Sequence, residues 1–294
     1  MDTSVTGRVP ALSADAPFRF FAAQVLRTER LGPSMVRITF GGPQLASFTA
    51  GGRDQSCSLF LPQPGRGGVP VLPADAGDGW FAAWRAMDPG VRAVMRSYTV
   101  REERRHQAEV DIDFALHGDA GPASRWAAGA RAGDPAALLG PAVADNKSVG
   151  FRPPPDTDWV LLCGDETALP AIAGILAWLP AGLRAEAWIE VPHPGDLQDL
   201  PTAADARITW LVREPAATRT GALPAAVEAA ELPDGLPYAW IAGESATVRA
   251  LRRHLVGGRG FPRNRVTFSG YWRLGASEED LRAESLSGTR RRTA

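Results

Sequence analysis

The chain has 294 residues, roughly two domains' worth, since a single core stops growing near ~250 residues. Hydrophobic residues make up 45% and charged residues 22%, which excludes a disordered chain, a fibre and a disulfide scaffold. The formal net charge is −1, so there is no basic excess of the kind that binds nucleic acid, and Arg290-Arg291-Arg292 reads as a solvated tail. Only Cys57 and Cys163 occur, too few for an iron–sulfur cluster, which takes about four thiolates. Their spacing gives no secreted framework. The opening residues Met1-Asp2-Thr3-Ser4 are acidic, without the apolar run of a signal peptide. The longest greasy stretch, Ala168 to Leu183, falls short of the ~20 residues of a membrane span and is bracketed by Pro170 and Pro180. The expectation is a soluble, cytoplasmic protein with no membrane partner.

From Phe18 to about Pro141 the pattern is one of short extended runs between Gly- and Pro-rich turns. Strands are predicted at Phe20–Leu26, Met35–Phe40, Cys57–Leu61 and Tyr98–Val100. The clearest is Glu109–His117, where Val110, Ile112, Phe114 and Leu116 alternate with Asp111, Asp113, Ala115 and His117. That alternation predicts one wet face, with Asp111 and Asp113 solvated rather than catalytic. Residues 62–90 read as a long loop with a short helix at Trp80–Met87. Several such strands predict an antiparallel barrel.

A stiff run, Arg152-Pro153-Pro154-Pro155-Asp156, makes a linker, and the texture then changes. Near-continuous apolar strands are predicted at Trp159–Cys163, Ala187–Val191, Arg207–Val212, Tyr238–Ala242 and Val266–Ser269. Helices alternate with them at Ala168–Leu179, Gly221–Ala230 and Ser245–Val256. This predicts a doubly wound parallel α/β domain behind an N-terminal antiparallel Greek-key β-barrel. The organisation expected is a flexible N-terminus (1–17), the barrel (18–148), a linker (149–157), the α/β domain (158–275) and a C-terminal tail (276–294). Trp159, Trp188, Trp210 and Trp240 fall in strands and read as core.

In open α/β sheets ligands bind beyond the carboxyl ends of strands. Two loops there share one pattern of Gly, acid, hydroxyl residue and helix: Gly164-Asp165-Glu166-Thr167-Ala168 and Gly243-Glu244-Ser245. They read either as well-capped turns, with Thr167 and Ser245 as caps, or as a ligand site. Neither is a Walker A loop or a GxGxxG fingerprint. In the barrel half, Arg96-Ser97-Tyr98-Thr99-Val100-Arg101 offers a guanidinium, an aromatic face and hydroxyls. The turn His117-Gly118-Asp119-Ala120-Gly121 leads into a helix at about Pro122, whose N-terminus suits an anion. Arg96 and this turn can grip a pyrophosphate while Tyr98 packs on a ring system. The four histidines, His106, His117, His193 and His254, are scattered, without metal spacing.

The motifs Arg-x-Tyr-Thr, His-Gly-x-x-Gly-Pro-Ala-Ser-x-Trp-Ala, Gly-Asp-Glu-Thr-Ala-Leu-Pro-Ala-Ile and Gly-Tyr-Trp-Arg occur in this order between about Phe18 and Gly275. Together they resemble the siderophore-interacting protein family, flavin-dependent ferric-siderophore reductases related in fold to ferredoxin–NADP reductases. The resemblance implies an NAD(P)H-dependent flavoprotein in which FAD takes hydride from NADPH or NADH and passes electrons singly to siderophore-chelated Fe(III). Fe(II) is then released for iron assimilation. It implies an FAD site of Arg96, Ser97, Tyr98, Thr99, His117, Gly121, Pro122, Ala123, Ser124 and Trp126. It implies a nicotinamide-cofactor site of Gly164, Asp165, Glu166, Thr167, Ala168, Gly243 and Glu244, with Tyr271 and Trp272 near the flavin. Arg53, Arg101 and Arg273 become the candidates for an anionic siderophore.

No resident metal and no catalytic side chain are implied, because the flavin carries the chemistry. One departure is Ser58, in Asp54-Gln55-Ser56-Cys57-Ser58, where many relatives carry a basic residue. Arg213 and Arg219 follow the third α/β strand and suit a 2′-phosphate. A monomer is expected. Alternatives are a diaphorase-like reductase serving a protein partner and a non-catalytic siderophore- or flavin-binding carrier.

Overall fold

The computed structural model describes residues 9–13, 15–65, 68–116, 121–213 and 221–288. The chain divides into two compact units. One runs to Arg152 and takes in Pro170–Pro180 and Gly195–Ala203; the other comprises Pro153–Leu169, Ala181–Pro194 and the chain from Ala204.

The first unit is built on seven strands: β1 (Phe18–Gly32), β2 (Met35–Gly41), β3 (Ser56–Leu61), β4 (Val94–Thr99), β5 (Glu102–Arg104), β6 (Glu109–Ala115) and β7 (Pro135–Pro141). They form an antiparallel sheet in the order β4-β3-β7-β1-β2-β6-β5. β2 and β3, consecutive in the chain, are separated by β7 and β1, the crossover of a Greek key. The sheet curls until its ends approach. Tyr98 on β4 meets Phe114 on β6 with ring centroids 4.4 Å apart, and just past β4 the Arg101 N–H donates to the Asp111 carbonyl at 2.9 Å. Helix α2 (Pro122–Gly129) plugs the curl with Trp126, which stacks on Phe40 at 6.2 Å. A second apolar cluster joins Phe20 and Phe60 to Trp84 of α1 (Trp80–Ala86), with Val9 and Leu12 packed against it.

The barrel differs from the sequence reading at four points, the first being β4, which runs from Val94 to Thr99 where Tyr98–Val100 was expected. β1 is 15 residues long because its polar half, Arg27 to Arg30, keeps pairing with β2 after the apolar run ends. The strands β5 and β7 were not expected. β6 has the expected period, but its outward face is not wet: Asp111 and Asp113 are 3% and 5% exposed. Arg37 holds Asp113 in a bidentate pair, and Arg104 and the Thr39 hydroxyl hold Asp111. Glu109 takes both Arg27 and Arg104.

The second unit holds a wholly parallel sheet of β8 (Trp159–Gly164), β9 (Arg184–Val191), β10 (Asp205–Val212), β11 (Pro237–Glu244) and β12 (Val266–Trp272), in the order β10-β9-β8-β11-β12. On one face Trp159, Leu161 and Cys163 pack with Leu223 and Val227 of α4 (Ala222–Ala229) and with Val248 and Leu251 of α5 (Ser245–Arg253). Val160 and Leu162 point to the opposite face and are also wholly buried, which explains the unbroken apolar run. Trp188 and Trp240 are buried as expected; Trp210, on the edge strand, is half-buried. The direction of winding reverses between β8 and β11, so their carboxyl ends lie side by side, with Gly164 opposite Ala242.

Helix α3 (Leu169–Trp178) follows β8 in sequence, yet all of it beyond Leu169 counts with the first unit. Gly174 lets it approach the Arg53 backbone, where a Cβ would stand 2.3 Å from the Arg53 carbonyl oxygen. After β12, helix α6 (Glu278–Leu286) occupies the stretch read as a tail, opened by a Ser277–Asp280 capping box. Cys57 sits in the barrel core and Cys163 in the sheet core. Burial pushes the Cys57 thiol up to about 12 and raises that of Cys163 as well.

The outer charge ladder of the barrel makes stability depend on acid. Burial pushes the Asp111 carboxyl up, but the bonds from Arg104 and Thr39 outweigh it and the net shift is downward. The Arg27 hydrogen bond, helped by Arg104, holds Glu109 at about 2. Groups whose folded pKa is depressed stabilise above their unfolded value and lose that contribution as pH falls through the folded one. Arg104→Met is therefore expected to raise the midpoint of acid unfolding within the window from about pH 4.5 to about pH 2, followed by tryptophan fluorescence. An unmoved midpoint would show that the ladder adds nothing.

Candidate functional site

Two sets of residues carry chemistry, one in each unit. In the first unit the Arg-x-Tyr-Thr motif lies on β4, which pairs with β3 and, among the described residues, ends the strand order of the sheet. Ser97 is exposed, Arg96 and Tyr98 are half-buried, and Thr99 is buried. Arg96 donates to the neighbouring Met95 carbonyl at 2.8 Å, which orients the guanidinium along the strand. Tyr98 leans on Phe114, and Phe114 also touches Trp126 at 6.2 Å. Phe114 thereby joins β4 and α2 into one wall, and two motifs distant in sequence share it.

Gly121 precedes α2 and supplies no side-chain cap; Pro122 occupies the first turn, and Ala123 and Ser124 are buried behind it. A helix start carries partial positive charge and N–H donors that suit a phosphate. Trp126 points into the barrel core, so it supports this wall from behind. His117, with Gly118, Asp119 and Ala120, lies outside the described residues. The donor set fits FAD: a guanidinium and a helix N-terminus for the pyrophosphate, and a half-exposed tyrosine ring beside strand hydroxyls for the ring system. Ser58 stands directly opposite Ser97 in the β3–β4 register, so the departure from a basic residue falls beside this motif.

The three arginines proposed for an anionic substrate are placed differently. Arg53 is turned inward: it adopts a left-handed backbone (φ 57), donates to the carbonyls of Gly51 and Phe151, and lies 4.9 Å over the Trp178 ring. Burial, and then Arg152, pull its pKa down. Arg273 forms a bidentate pair with Glu284 of α6. Arg101 stands 4.0 Å from Asp113 and keeps a buried Nε with no hydrogen-bond partner.

In the second unit the structure brings Gly164, Asp165, Thr167, Gly243, Glu244 and Trp272 together at the reversal of the sheet. Asp165 is 6% exposed. Its Oδ1 accepts from the Thr167 N–H (2.9 Å) and hydroxyl, and its Oδ2 from the Glu244 N–H and the Trp272 indole N–H, both at 2.8 Å. Burial and then the charge of Glu166 push its carboxyl up to about 6. Gly243 has φ 131, and a Cβ there would lie 2.5 Å from Asp165 Oδ2, so only glycine fits. Ala168 is wholly buried, and Tyr271 sits edge-on to Trp240 at 6.4 Å.

The caps differ from the sequence reading. Glu244, not Ser245, caps α5 by accepting from the Ala246 and Thr247 N–H groups, and Ser245 donates instead to the Trp272 carbonyl. Thr167 donates its hydroxyl to Asp165 ahead of α3. Glu166 is bound by Arg213, which also holds Glu190. Arg213, expected to suit a 2′-phosphate, is therefore committed between two carboxylates; Arg219 lies outside the described residues. Glu190 was missed, although an acid inside the run Ala187-Trp188-Ile189-Glu190-Val191 signals a buried partner. The acids of both loops are spent on internal bonds, and Gly164 and Gly243 are buried beside them. Among the described residues no cluster of three His, Cys, Asp or Glu side chains can hold a metal ion, and no helix is long and apolar enough to cross a membrane.

Comparison with known proteins bears on the identity of this arrangement. The family described as "Siderophore-interacting FAD-binding domain" matches residues 24–145, and that described as "Siderophore-interacting protein" matches residues 157–275. The ferric vibriobactin reductase ViuB of Vibrio cholerae serotype O1 is 30% identical over 261 residues, covering 88% of this chain and 91% of that protein. The NADPH-dependent ferric-chelate reductase of Escherichia coli is 31% identical over 259 residues, covering 86% and 93%. The crystal structure of the siderophore-interacting protein SipS from Aeromonas hydrophila superposes with a TM-score of 0.75 at 33% identity, covering 93% of this chain and 99% of that one. Similarity of this extent, with both domain descriptions matched in chain order, means that the chain belongs to the siderophore-interacting protein family.

Proposed function

We infer that the chain is an FAD-dependent ferric-siderophore reductase driven by reduced nicotinamide dinucleotide. One observation carries the reading: an Arg-x-Tyr-Thr strand is joined through Phe114 to a helix opened by Gly121 and Pro122. That donor set sits inside the matched FAD-binding domain. The name of the E. coli relative favours NADPH as the donor. We assign residues 18–148 to FAD binding, 149–157 to the linker and 158–275 to nicotinamide-dinucleotide binding. A monomer working in the cytoplasm, where reduced dinucleotide is regenerated, suits this chemistry.

When bound, FAD accepts two electrons as hydride from the dinucleotide and gives them up singly, which matches a one-electron metal substrate. The chain supplies binding and placement. Arg96 and the backbone N–H groups opening α2 (Gly121, Ala123, Ser124) neutralise the pyrophosphate, with Pro122 fixing the first turn. Tyr98 lies against the ring system, Ser97 and Thr99 give it hydroxyls, and Trp126 braces the wall. Gly164 to Ala168, with Gly243 and Glu244, receive the dinucleotide through backbone. Tyr271 and Trp272 bound the reacting end. Ferric iron arrives as substrate inside its own chelator, so no protein ligand for iron is required. Fe(II) is softer than Fe(III) and is held less tightly by hard oxygen donors, so reduction releases it. Arg101, Arg53 and Arg273 are the candidate contacts for an anionic chelator, and each would first have to leave its present partner: Asp113, the Gly51 and Phe151 carbonyls, and Glu284.

The purified chain is expected to be yellow, to bleach with NADPH under anaerobic conditions, and to release ferrozine-trapped Fe(II) faster from ferric siderophores than it reduces ferredoxin. A colourless preparation that takes up no FAD would overturn the reading; preference for ferredoxin would move it to a diaphorase-like reductase; flavin without bleaching would make the chain a carrier. Arg96→Ala is expected to weaken FAD retention by on the order of 1.5–3 kcal/mol, roughly ten- to a hundredfold in dissociation constant. Unchanged affinity by flavin-fluorescence titration would remove Arg96 from the site.

A further inference from the structure

We propose that Asp165 is a positioning residue whose carboxylate fixes the Trp272 indole at the end of the dinucleotide site, acting through that ring rather than by touching substrate. The proposal deepens the reductase reading and rests on it. Both oxygens are filled, with four donors from three segments of chain: Thr167 twice, the Glu244 N–H and the Trp272 indole N–H. A carboxylate offers about four acceptor positions and no hydrogen, and only that species satisfies all four donors. A protonated acid or an amide of the same shape would aim a hydrogen at a donor.

The surrounding backbone has other ties. Glu166 is anchored through Arg213 to Glu190; Glu244 caps α5 with its own side chain; Ser245 donates to the Trp272 carbonyl. What Asp165 adds to these is the bond to the indole, the side chain of the half-buried tryptophan that ends β12. Gly243 serves the same contact, since any side chain there would collide with Asp165 Oδ2. A buried acid beside Glu166 is costly to keep ionised, and its carboxyl is pushed up to about 6. A scaffold needing only backbone order has no use for that cost. The charged groups about the cluster are Glu166 with Arg213, Glu244, and Arg273 with Glu284.

The test compares wild type, Asp165→Asn, Trp272→Phe and the double variant as FAD-loaded protein. The first readout is the ¹⁵N-indole resonance that Trp272→Phe removes. It is expected to titrate with a midpoint near 6 in wild type and to shift, without that titration, in Asp165→Asn. The second is stopped-flow kinetics. Each single variant is expected to slow flavin reduction by NADPH by about 10–100-fold while leaving reoxidation by ferric siderophore unchanged, the scale expected for a misplaced reacting group. The double variant is expected to be no slower than the slower single. An indole resonance unmoved by Asp165→Asn, equal slowing of both half-reactions, or multiplying effects in the double variant would each overturn the proposal. If Asp165→Asn does not fold, Trp272→Phe decides the kinetic arm alone, and unchanged flavin reduction overturns the proposal. Wild type that NADPH does not bleach defeats the reductase reading itself, whatever the resonance does.

Discussion

Three parallel strands of the second unit end close together, and their ends carry N–H groups in a place with little water. Such donors need acceptors, and an unpaired one costs more than a made bond returns. Asp165 answers for three segments at once and Glu244 for the start of α5, while Arg213 neutralises the acid that follows Asp165. These carboxylates are therefore spent on the scaffold. The Gly-acid pattern is thus a division of labour: the acid holds the loop and Gly243 leaves room for the Asp165 carboxylate.

The barrel meets a similar constraint with opposite charges prominent. Its interior is aromatic, with Phe114 touching Phe40, Tyr98 and Trp126 from three directions. Its outer face carries arginines that span strands to reach buried aspartates. Pairs of this kind contribute only when geometry is good and partners are complete, and here Arg37 and Arg104 engage both oxygens of their carboxylates. Fixing β6 from outside also fixes Phe114 from inside. Because Phe114 touches both Tyr98 and Trp126, strand order and the wall that joins β4 to α2 depend on the same residue.

Much of this was legible in the sequence. Alternation revealed β6, unbroken apolar runs revealed the parallel strands, and four motifs in order revealed the family. β7 escaped because its five residues Ala-Ala-Leu-Leu-Gly are bounded by Pro135 and Pro141 and do not alternate, which reads as a loop until β1 and β3 are seen on either side of it. Helix α6 left a readable signal, Ser277 three residues before Asp280, that was passed over with the tail. The buried state of Asp111 and the clamp at Asp165 left none. Their partners lie at distant sequence positions, in strands whose adjacency only the topology supplies; Trp272 is 107 residues from Asp165. Single-residue chemistry was therefore readable, and pairing across the sheet was not.

The two cysteines occupy separate cores, one in each unit, and at neutral pH both are kept as thiols by burial. Alkylation proceeds through the thiolate, so neither sulfur reacts until its own core opens. Each half of the molecule thus contains a native chemical clock. The labelling rates of Cys57 and Cys163 by iodoacetamide report the opening of the barrel and of the wound sheet separately, with no engineered probe, and the same seclusion spares both sulfurs from the peroxide chemistry that liberated ferrous iron provokes.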